Sequence, residues 1–370
     1  MKSKYELSIS TNYVKDWGIT EAFRELFQNA IDNEISNPDN KMEWDYNKDT
    51  CTIRISNKNS CLSCESLLLG ESTKSDDKST IGKFGEGYKI AFVVLLRNNK
   101  TIKVYNYGNK EIWEVKLVKS KRYNGAMLPT IIVNKAALWE TVPNNNLTIE
   151  VNGISEEEYK EIVKSNLHLR ENDIQTFEIR DRGKIILDKT EIGNIYVRGL
   201  YVTHIDGLNY GYDFEPSVLG LDRDRKLVDS FNICWESSIL WAKASDKDEE
   251  LNRIALDMVF NNSKDVQYVS KIGCIEEKVS KEFYDRYGEY AVPVTNNNEY
   301  KYVKDTIKRN PVIVSESIAS MVKNAEPDDG KVLLLITIKE QLSAFASRIK
   351  DKLSEKEYEE LEALIEKVGN

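Results

Sequence analysis

The stretch from Thr20 to Asn33, TEAFRELFQNAIDN, most constrains the fold of this chain, because it predicts one helix with two distinct faces. Thr20 is expected to be the N-cap, and Glu21 falls in the first turn, where the helix dipole favours a carboxylate. One face is apolar and is predicted to lie in the core; it carries Phe23, Leu26, Phe27, Ala30 and Ile31. The opposite face carries Glu25, Asn29 and Asp32, which either form solvated surface or point together at one ligand.

A glycine-rich segment, Ile81 to Ala91, follows with the sequence IGKFGEGYKIA. Gly82, Gly85 and Gly87 would let backbone N–H groups approach a ligand closely, and the apolar run that follows predicts a helix whose N-terminus could face a phosphate. The order GxxGxG matches neither the P-loop nor the dinucleotide-binding motif. Taken alone, the segment is either a phosphate-binding loop or a plain turn.

The two segments together resemble the GHKL (Bergerat-fold) ATPase superfamily, which includes gyrase B subunits, mismatch-repair clamp ATPases and heat-shock chaperone ATPases. In that superfamily a helix bearing ExxxNxxD, here Glu25, Asn29 and Asp32, precedes a GxFGxG loop, here Gly82 to Gly87. The resemblance implies that Glu25 is the general base, that Asn29 ligates Mg²⁺ and that the loop wraps the phosphates of ATP. The chemistry agrees, since a carboxylate can accept the proton of water and an amide oxygen suits a hard cation.

The chain departs from the superfamily after the predicted strand Thr52 to Ser56. The expected DxGxG, whose Asp accepts a hydrogen bond from the adenine amino group, is replaced by Asn57, Lys58, Asn59, Ser60 and Cys61. The Asn57 amide can accept this bond through its oxygen or turn and donate through its nitrogen, so the sequence leaves base selectivity open.

Several further residues are expected to contact nucleotide because of where they lie relative to these motifs. Lys74 belongs to the polar stretch Gly70 to Thr80, which is either a lid over the nucleotide or a solvated loop. Thr148 lies in LTIEV, which resembles the last strand of the ATP domain, where a threonine hydroxyl helps to hold adenine. The predicted nucleotide-binding residues are Asn29, Asp32, Asn33, Asn57, Lys74, Gly82, Lys83, Phe84, Gly85, Glu86, Gly87, Tyr88, Thr148 and Arg225.

The predicted fold class is α/β, a GHKL-type α/β sandwich followed by a transducer-like α/β domain and a helical C-terminal region. The expected domains are 1–155, 156–245 and 246–370. Period-two or apolar patterns predict strands at Thr101–Tyr107, Ile112–Val118, Thr130–Val133 and Leu147–Val151, and further strands near Thr176–Arg180, Lys184–Leu187 and Asn194–Val202. The N-terminal segment with Tyr5, Leu7 and Ile9 is interpreted as a strand that covers its own subunit.

The segment Leu219 to Asp229, LGLDRDRKLVD, offers candidates for a basic side chain that senses the γ-phosphate. Transducer domains of the resembled superfamily send such a side chain back to ATP, and Arg223, Arg225 and Lys226 are the candidates by position. Alternating Asp and Arg residues also form self-paired surface runs. In the C-terminal region, two helices are predicted within Lys331–Val368, the second with a capping box at Ser354 and Glu357.

Composition limits the remaining possibilities. The formal net charge of −9 argues against broad, sequence-independent nucleic-acid binding, although a clamp closing around a strand stays open. No signal peptide and no apolar run of about eighteen residues are present, so we expect a cytoplasmic protein whose five cysteines are reduced.

The leading hypothesis is a Mg²⁺-dependent ATPase whose nucleotide cycle opens and closes a homodimer or a lid. The alternative is a non-hydrolysing nucleotide-binding or partner-binding protein on the same fold; a protein or nucleic-acid partner is not identified by the sequence.

Overall fold

The computed structural model describes residues 3–63, 67, 87–135, 145–170, 174–219, 229–273, 275–325, 342, 345–346, 349 and 353–366. The chain divides into two compact units, Met1–Leu240 and Trp241–Asn370. Helices and antiparallel strands combine in a mixed α/β architecture, which confirms the predicted fold class. The predicted domain boundaries at residues 155/156 and 245/246 stay predictions. Among the described helices, none has the length and apolar character needed to span a bilayer.

The main sheet of the first unit has seven antiparallel strands in the order β1-β6-β5-β4-β7-β3-β2. Their bounds are β1 (Ser3–Glu6), β2 (Met42–Asn47), β3 (Thr52–Asn57), β4 (Thr101–Asn106), β5 (Glu111–Lys119), β6 (Met127–Lys135) and β7 (Leu147–Asn152). Alternate apolar residues such as Ile53, Ile55, Ile149 and Val151 are buried on one face. The predicted N-terminal strand pairs with β6 of the same chain, but it ends at Glu6, so Leu7 and Ile9 lie outside it.

Helices α1 (Ile19–Ser36), α2 (Gly87–Arg97) and α3 (Glu156–Lys164) complete the first core. The N-cap prediction for Thr20 is wrong: Gly18 is the N-cap, and its N–H donates to Glu21 Oε2 at 2.7 Å, so Thr20 already lies inside α1. The apolar face is buried as predicted. Glu25 and Asp32 are also buried, at 1% and 0% exposure, so the alternative of a solvated polar face is wrong for these two residues.

A second, five-stranded sheet in the first unit has the order β11-β10-β12-β9-β8. Its strands are β8 (Thr176–Ile179), β9 (Gly183–Ile186), β10 (Asn194–Val197), β11 (Leu200–His204) and β12 (Gly211–Phe214). The single strand predicted at Asn194–Val202 is wrong, because Arg198 and Gly199 adopt positive φ values of 47° and 76° and turn the chain into a hairpin.

The rest of the described chain is mainly helical. Its elements are α4 (Ser230–Ser245), α5 (Glu249–Phe260), α6 (Val269–Ile272), α7 (Glu276–Tyr287), β13 (Ala291–Val294), α8 (Asn297–Tyr302), β14 (Asn310–Ile313), α9 (Glu316–Ala325) and α10 (Glu355–Glu366). β13 and β14 form a parallel pair, and the segment between them contains α8. The predicted capping box is confirmed, since the Ser354 N–H donates to Glu357 Oε2 at 2.8 Å at the start of α10.

Candidate functional site

The glycine-rich segment and the polar face of α1 meet at Gly87, the first residue of α2. A Cβ placed on Gly87 would lie 2.9 Å from Asn29 Nδ2 and 2.9 Å from Glu25 Oε2. Real Cβ atoms do not approach polar side-chain atoms this closely, so only glycine fits here without a shift. The backbone at the start of α2 therefore lies directly against the carboxylate and the amide that the sequence analysis paired with it.

Glu25 and Asn29 differ in hydrogen bonding and in burial. Asn29 Nδ2 donates to the backbone oxygen of Glu25 at 2.9 Å, one turn earlier, which leaves Oδ1 as the acceptor end of the amide. Asn29 is half-buried, whereas the Glu25 carboxylate is almost completely buried. The pair thus places one half-buried neutral amide beside one desolvated carboxylate.

An electrostatic interaction between α1 and α2 involves Asp32 and Tyr88. Asp32 is fully buried, and Tyr88 follows Gly87 directly. Desolvation raises the pKa of the Tyr88 hydroxyl above its usual range, and the Asp32 carboxylate raises it further because a second negative charge nearby is unfavourable. The Tyr88 hydroxyl therefore stays protonated.

Asn57, at the end of β3, is fixed by its amide nitrogen. Nδ2 donates to the backbone oxygens of Ala30 on α1 and of Asn40, each at 2.9 Å. Because both partners are carbonyl oxygens, the atom between them must be the nitrogen, and Oδ1 is the acceptor end. The open question of which way this amide turns is thereby answered.

Asn40 and Ser60, which were not predicted from the sequence, belong to the hydrogen-bond network around Asn57. Asn40 Nδ2 donates to Asn33 Oδ1, and Asn33 Nδ2 donates to Ser60 Oγ, both at 2.9 Å. The predicted nucleotide-binding residue Asn33 is therefore engaged in a network that joins α1 to the segment after β3. Asn40 lies in a turn-like NPDN sequence, and nothing in that pattern distinguishes a buried network from an ordinary turn.

The structure does not bring Thr148 to this site. In the antiparallel ladder Asn57 is paired with Leu147, and Ser56 is paired with Thr148. Paired residues share a face and neighbours along a strand alternate, so Thr148 points away from α1. Its hydroxyl is 2.8 Å from Ser56 Oγ on that opposite face.

Seven predicted site residues lie outside the described residues: Lys74, Gly82, Lys83, Phe84, Gly85, Glu86 and Arg225. The same holds for the two other basic candidates near Arg225. Lys89, two residues after Gly87, is described and is only 2% exposed. Lys89 is therefore not a surface lysine.

Comparisons of sequence and of structure find known proteins of low similarity to this chain. No protein-family model matches the chain. An uncharacterized protein of Mycoplasma pneumoniae is 26% identical over 223 residues, which is 58% of this chain and 86% of the relative. The ATPase and transducer domains of DNA topoisomerase II from Balamuthia mandrillaris align with a TM-score of 0.32 and 14% identity, covering 54% of this chain and 67% of that one.

The ATPase region of Saccharomyces cerevisiae topoisomerase II aligns with a TM-score of 0.31 and 11% identity, over 53% of this chain and 72% of the yeast chain. The same yeast region bound to ICRF-187 (dexrazoxane) aligns with a TM-score of 0.32 and covers 73% of that chain.

Proposed function

We propose that this protein binds ATP between α1, α2 and the end of β3, and hydrolyses it in a Mg²⁺-dependent reaction. The observation that carries this proposal is the close packing of Gly87 against Glu25 and Asn29. A Cβ atom added to Gly87 would lie 2.9 Å from Glu25 Oε2 and 2.9 Å from Asn29 Nδ2. The start of a helix, a carboxylate and an amide side chain therefore lie together, and phosphoryl transfer uses groups of these kinds.

The phosphates are assigned to the N-terminus of α2. The first backbone N–H groups of a helix have no partner within the helix, and the helix dipole places positive potential there. α2 has 11 residues, and the glycine-rich segment leads directly into it. An anionic ligand therefore gains both hydrogen bonds and a favourable field at this position.

Asn29 is the proposed Mg²⁺ ligand, and the donor set fits that ion. Its Nδ2 is engaged with the Glu25 backbone oxygen, so the oxygen a hard cation prefers is the end available for coordination. When bound, Mg²⁺ would neutralise charge on the phosphates. Within the described part of the chain, no cluster of three or more His, Cys, Asp and Glu side chains could hold a metal ion. Phosphate and water oxygens would supply the remaining ligands.

Glu25 is the proposed general base. Its carboxylate is buried next to the start of α2, where the terminal phosphate is assigned, so a water between them could transfer a proton to Oε2. Burial excludes bulk water and strengthens electrostatic interactions with the reacting groups. The released proton thus has an acceptor that does not itself bind the phosphates.

Asn57 is the proposed contact to the base. Because its nitrogen is committed to two carbonyl oxygens, its Oδ1 presents only an acceptor. An acceptor fits the amino group of adenine and disfavours a base that offers a carbonyl at the same place. This supports ATP as the nucleotide although the Asp typical of the resembled superfamily is absent. The nucleotide cycle is proposed to drive a conformational switch in a lid or a homodimer.

The test is phosphate release from Mg-ATP by wild type and Glu25→Gln, with nucleotide binding followed by the shift in melting temperature. We expect the variant to lose at least about 100-fold in turnover and to keep the thermal shift, because the base acts on water. Glu34→Gln is the matched control, since Glu34 lies on the same helix and accepts from the Met42 N–H at 2.9 Å.

Wild-type turnover in Glu25→Gln would show that the assignment of the base is wrong. A thermal shift without phosphate release from the wild type would instead support the non-hydrolysing nucleotide-binding alternative. The absence of both signals would contradict nucleotide binding and leave the partner-binding alternative.

A further inference from the structure

Arg24 lies beside the proposed base in an arrangement that the helix alone does not produce. Adjacent residues on a helix project about 100° apart and do not face each other. Nevertheless, Arg24 Nε lies 3.9 Å from Glu25 Oε1, and the Arg24 side chain is only 12% exposed. A contact outside α1 must therefore hold the guanidinium group toward its neighbour.

The ring of Trp17 provides such a contact. The guanidinium carbon of Arg24 lies 5.0 Å from the Trp17 ring centroid, within the range of a cation–π interaction. Trp17 is itself buried, at 6% exposure. The guanidinium group is therefore held between an aromatic face and the Glu25 carboxylate.

Trp17 ends a short N-terminal strap, residues 11–17, which Arg97 fixes at the last turn of α2. The guanidinium group of Arg97 donates to four backbone oxygens of this strap, those of Thr11, Tyr13, Val14 and Trp17, at 3.3, 3.2, 3.2 and 2.6 Å. One side chain thus satisfies carbonyl groups along the whole strap. The backbone of Trp17 is thus tied to α2, which also provides Gly87 at its other end.

The backbone of the strap is strained at Val14. Its φ is 45°, in the left-handed region that β-branched residues rarely adopt. Such a conformation persists only where the surrounding contacts enforce it. The four hydrogen bonds from Arg97 and the N–H of Trp17, which donates to the Val14 oxygen at 3.0 Å, are those contacts.

We propose that Arg24 is a positioning residue for the Glu25 carboxylate. The Trp17 ring keeps the positive charge of the guanidinium group 3.9 Å from Oε1, at ion-pair distance, and Oε2 is the oxygen that lies next to Gly87 and the start of α2. In this role Arg24 acts on the reaction through Glu25 and not as a ligand of the nucleotide. The inference rests on the proposed function, because it concerns the orientation of the base in ATP hydrolysis.

The experiment compares kcat and KM for ATP in wild type, Arg24→Gln, Arg24→Lys and Trp17→Phe. We expect Arg24→Gln to lower kcat about 10-fold and to change KM by less than about 2-fold, because a mispositioned base slows the chemical step without weakening binding. Arg24→Lys keeps the charge and should recover most of kcat. Trp17→Phe offers a weaker aromatic face and should lower kcat about 3-fold.

Arg122→Gln is the matched control, because the Arg122 guanidinium lies 5.5 Å from the Tyr123 ring centroid in another cation–π pair, between β5 and β6. Wild-type kcat in Arg24→Gln, with Glu25→Gln inactive, overturns this inference and leaves the proposed function intact. A raised KM with unchanged kcat also overturns it, since Arg24 would then bind nucleotide. A wild type that releases no phosphate overturns the proposed function and this inference together.

Discussion

Replacing Gly87 with alanine tests the geometry of the site most directly. The new Cβ would lie 2.9 Å from both Asn29 Nδ2 and Glu25 Oε2, whereas ordinary contacts of this kind are about 3.5 Å or longer. Both atoms are at the ends of side chains, so each can withdraw by about 0.5–1 Å without moving the backbone. The substitution therefore displaces the proposed base and the proposed metal ligand together.

The predicted cost falls on turnover rather than on stability. A misplacement of about 1 Å in a catalytic group costs about 100-fold in rate, which is about 2.7 kcal/mol in activation free energy. Alanine favours a helix over glycine by at most about 1 kcal/mol, and the displaced rotamers cost about as much. Gly87 does not have a positive φ, so alanine adds no backbone strain. The free energy of unfolding should change by less than about 1 kcal/mol.

The assay is phosphate release together with urea unfolding of Gly87→Ala, with Gly108→Ala as the matched control. A Cβ on Gly108 would meet only Cys61 Cβ at 3.7 Å, an ordinary contact, so both its activity and its stability should match wild type. Wild-type turnover in Gly87→Ala would refute the reasoning, because it would mean that the reaction does not depend on where Glu25 and Asn29 lie.

Two further predictions concern buried polar groups. Asn57→Asp should lower the free energy of unfolding by about 3 kcal/mol in urea titrations, because a carboxylate cannot donate to the oxygens of Ala30 and Asn40. Burial raises the pKa of Asp213 from 3.8 to about 6, so the folded state binds this proton more tightly than the unfolded chain. The protonated Asp213 therefore contributes to stability below pH 3.8, and this contribution is lost as the pH rises through about 6. Over that interval the free energy of unfolding of Asp213→Asn should rise by about 3 kcal/mol relative to that of wild type.

Asn59→Asp is the control for Asn57→Asp. Asn59→Asp changes an exposed amide that makes one 3.3 Å bond to the Asp39 oxygen, and it should be nearly neutral. Equal stability of Asn57→Asp and wild type would mean that the two carbonyl contacts contribute nothing. For Asp213, parallel curves of unfolding free energy against pH in wild type and variant would contradict a raised pKa.

The helix α1 was predictable because its apolar spacing is regular and its core residues belong to one sequence segment. Its first residue was not, since the rule for hydroxyl N-caps favours Thr20, whereas the Glu21 carboxylate reaches back to the Gly18 N–H. The mutual approach of α1 and α2 was expected only through resemblance to a known superfamily. Local pattern alone does not specify which distant segments meet.

The face of Thr148 shows a different limit. β7 is buried along most of its length, so its sequence does not reveal which face carries the ligand site; only the pairing of Ser56 with Thr148 decides this. The turn at Arg198–Gly199 was not predicted, because two apolar strands joined by a two-residue turn have the same sequence pattern as one longer strand. The burial of Lys89 was not predictable, because α2 is buried on almost all sides and its sequence has no exposed face for comparison.

The central place of β7 has a consequence for the order in which the first unit can form during synthesis. β7 joins β3 to β4, and it is the last of the seven strands to leave the ribosome. Until residue 152 has emerged, β2 with β3 and β4 with β5 and β6 are separate local ribbons, each with an unpaired edge. β12 closes β9 to β10 in the second sheet in the same delayed way. Pairing that depends on a strand far along the chain slows folding. The edges of β3 and β4, and those of β9 and β10, therefore stay unpaired for longer than in a sheet whose neighbouring strands follow one another in sequence.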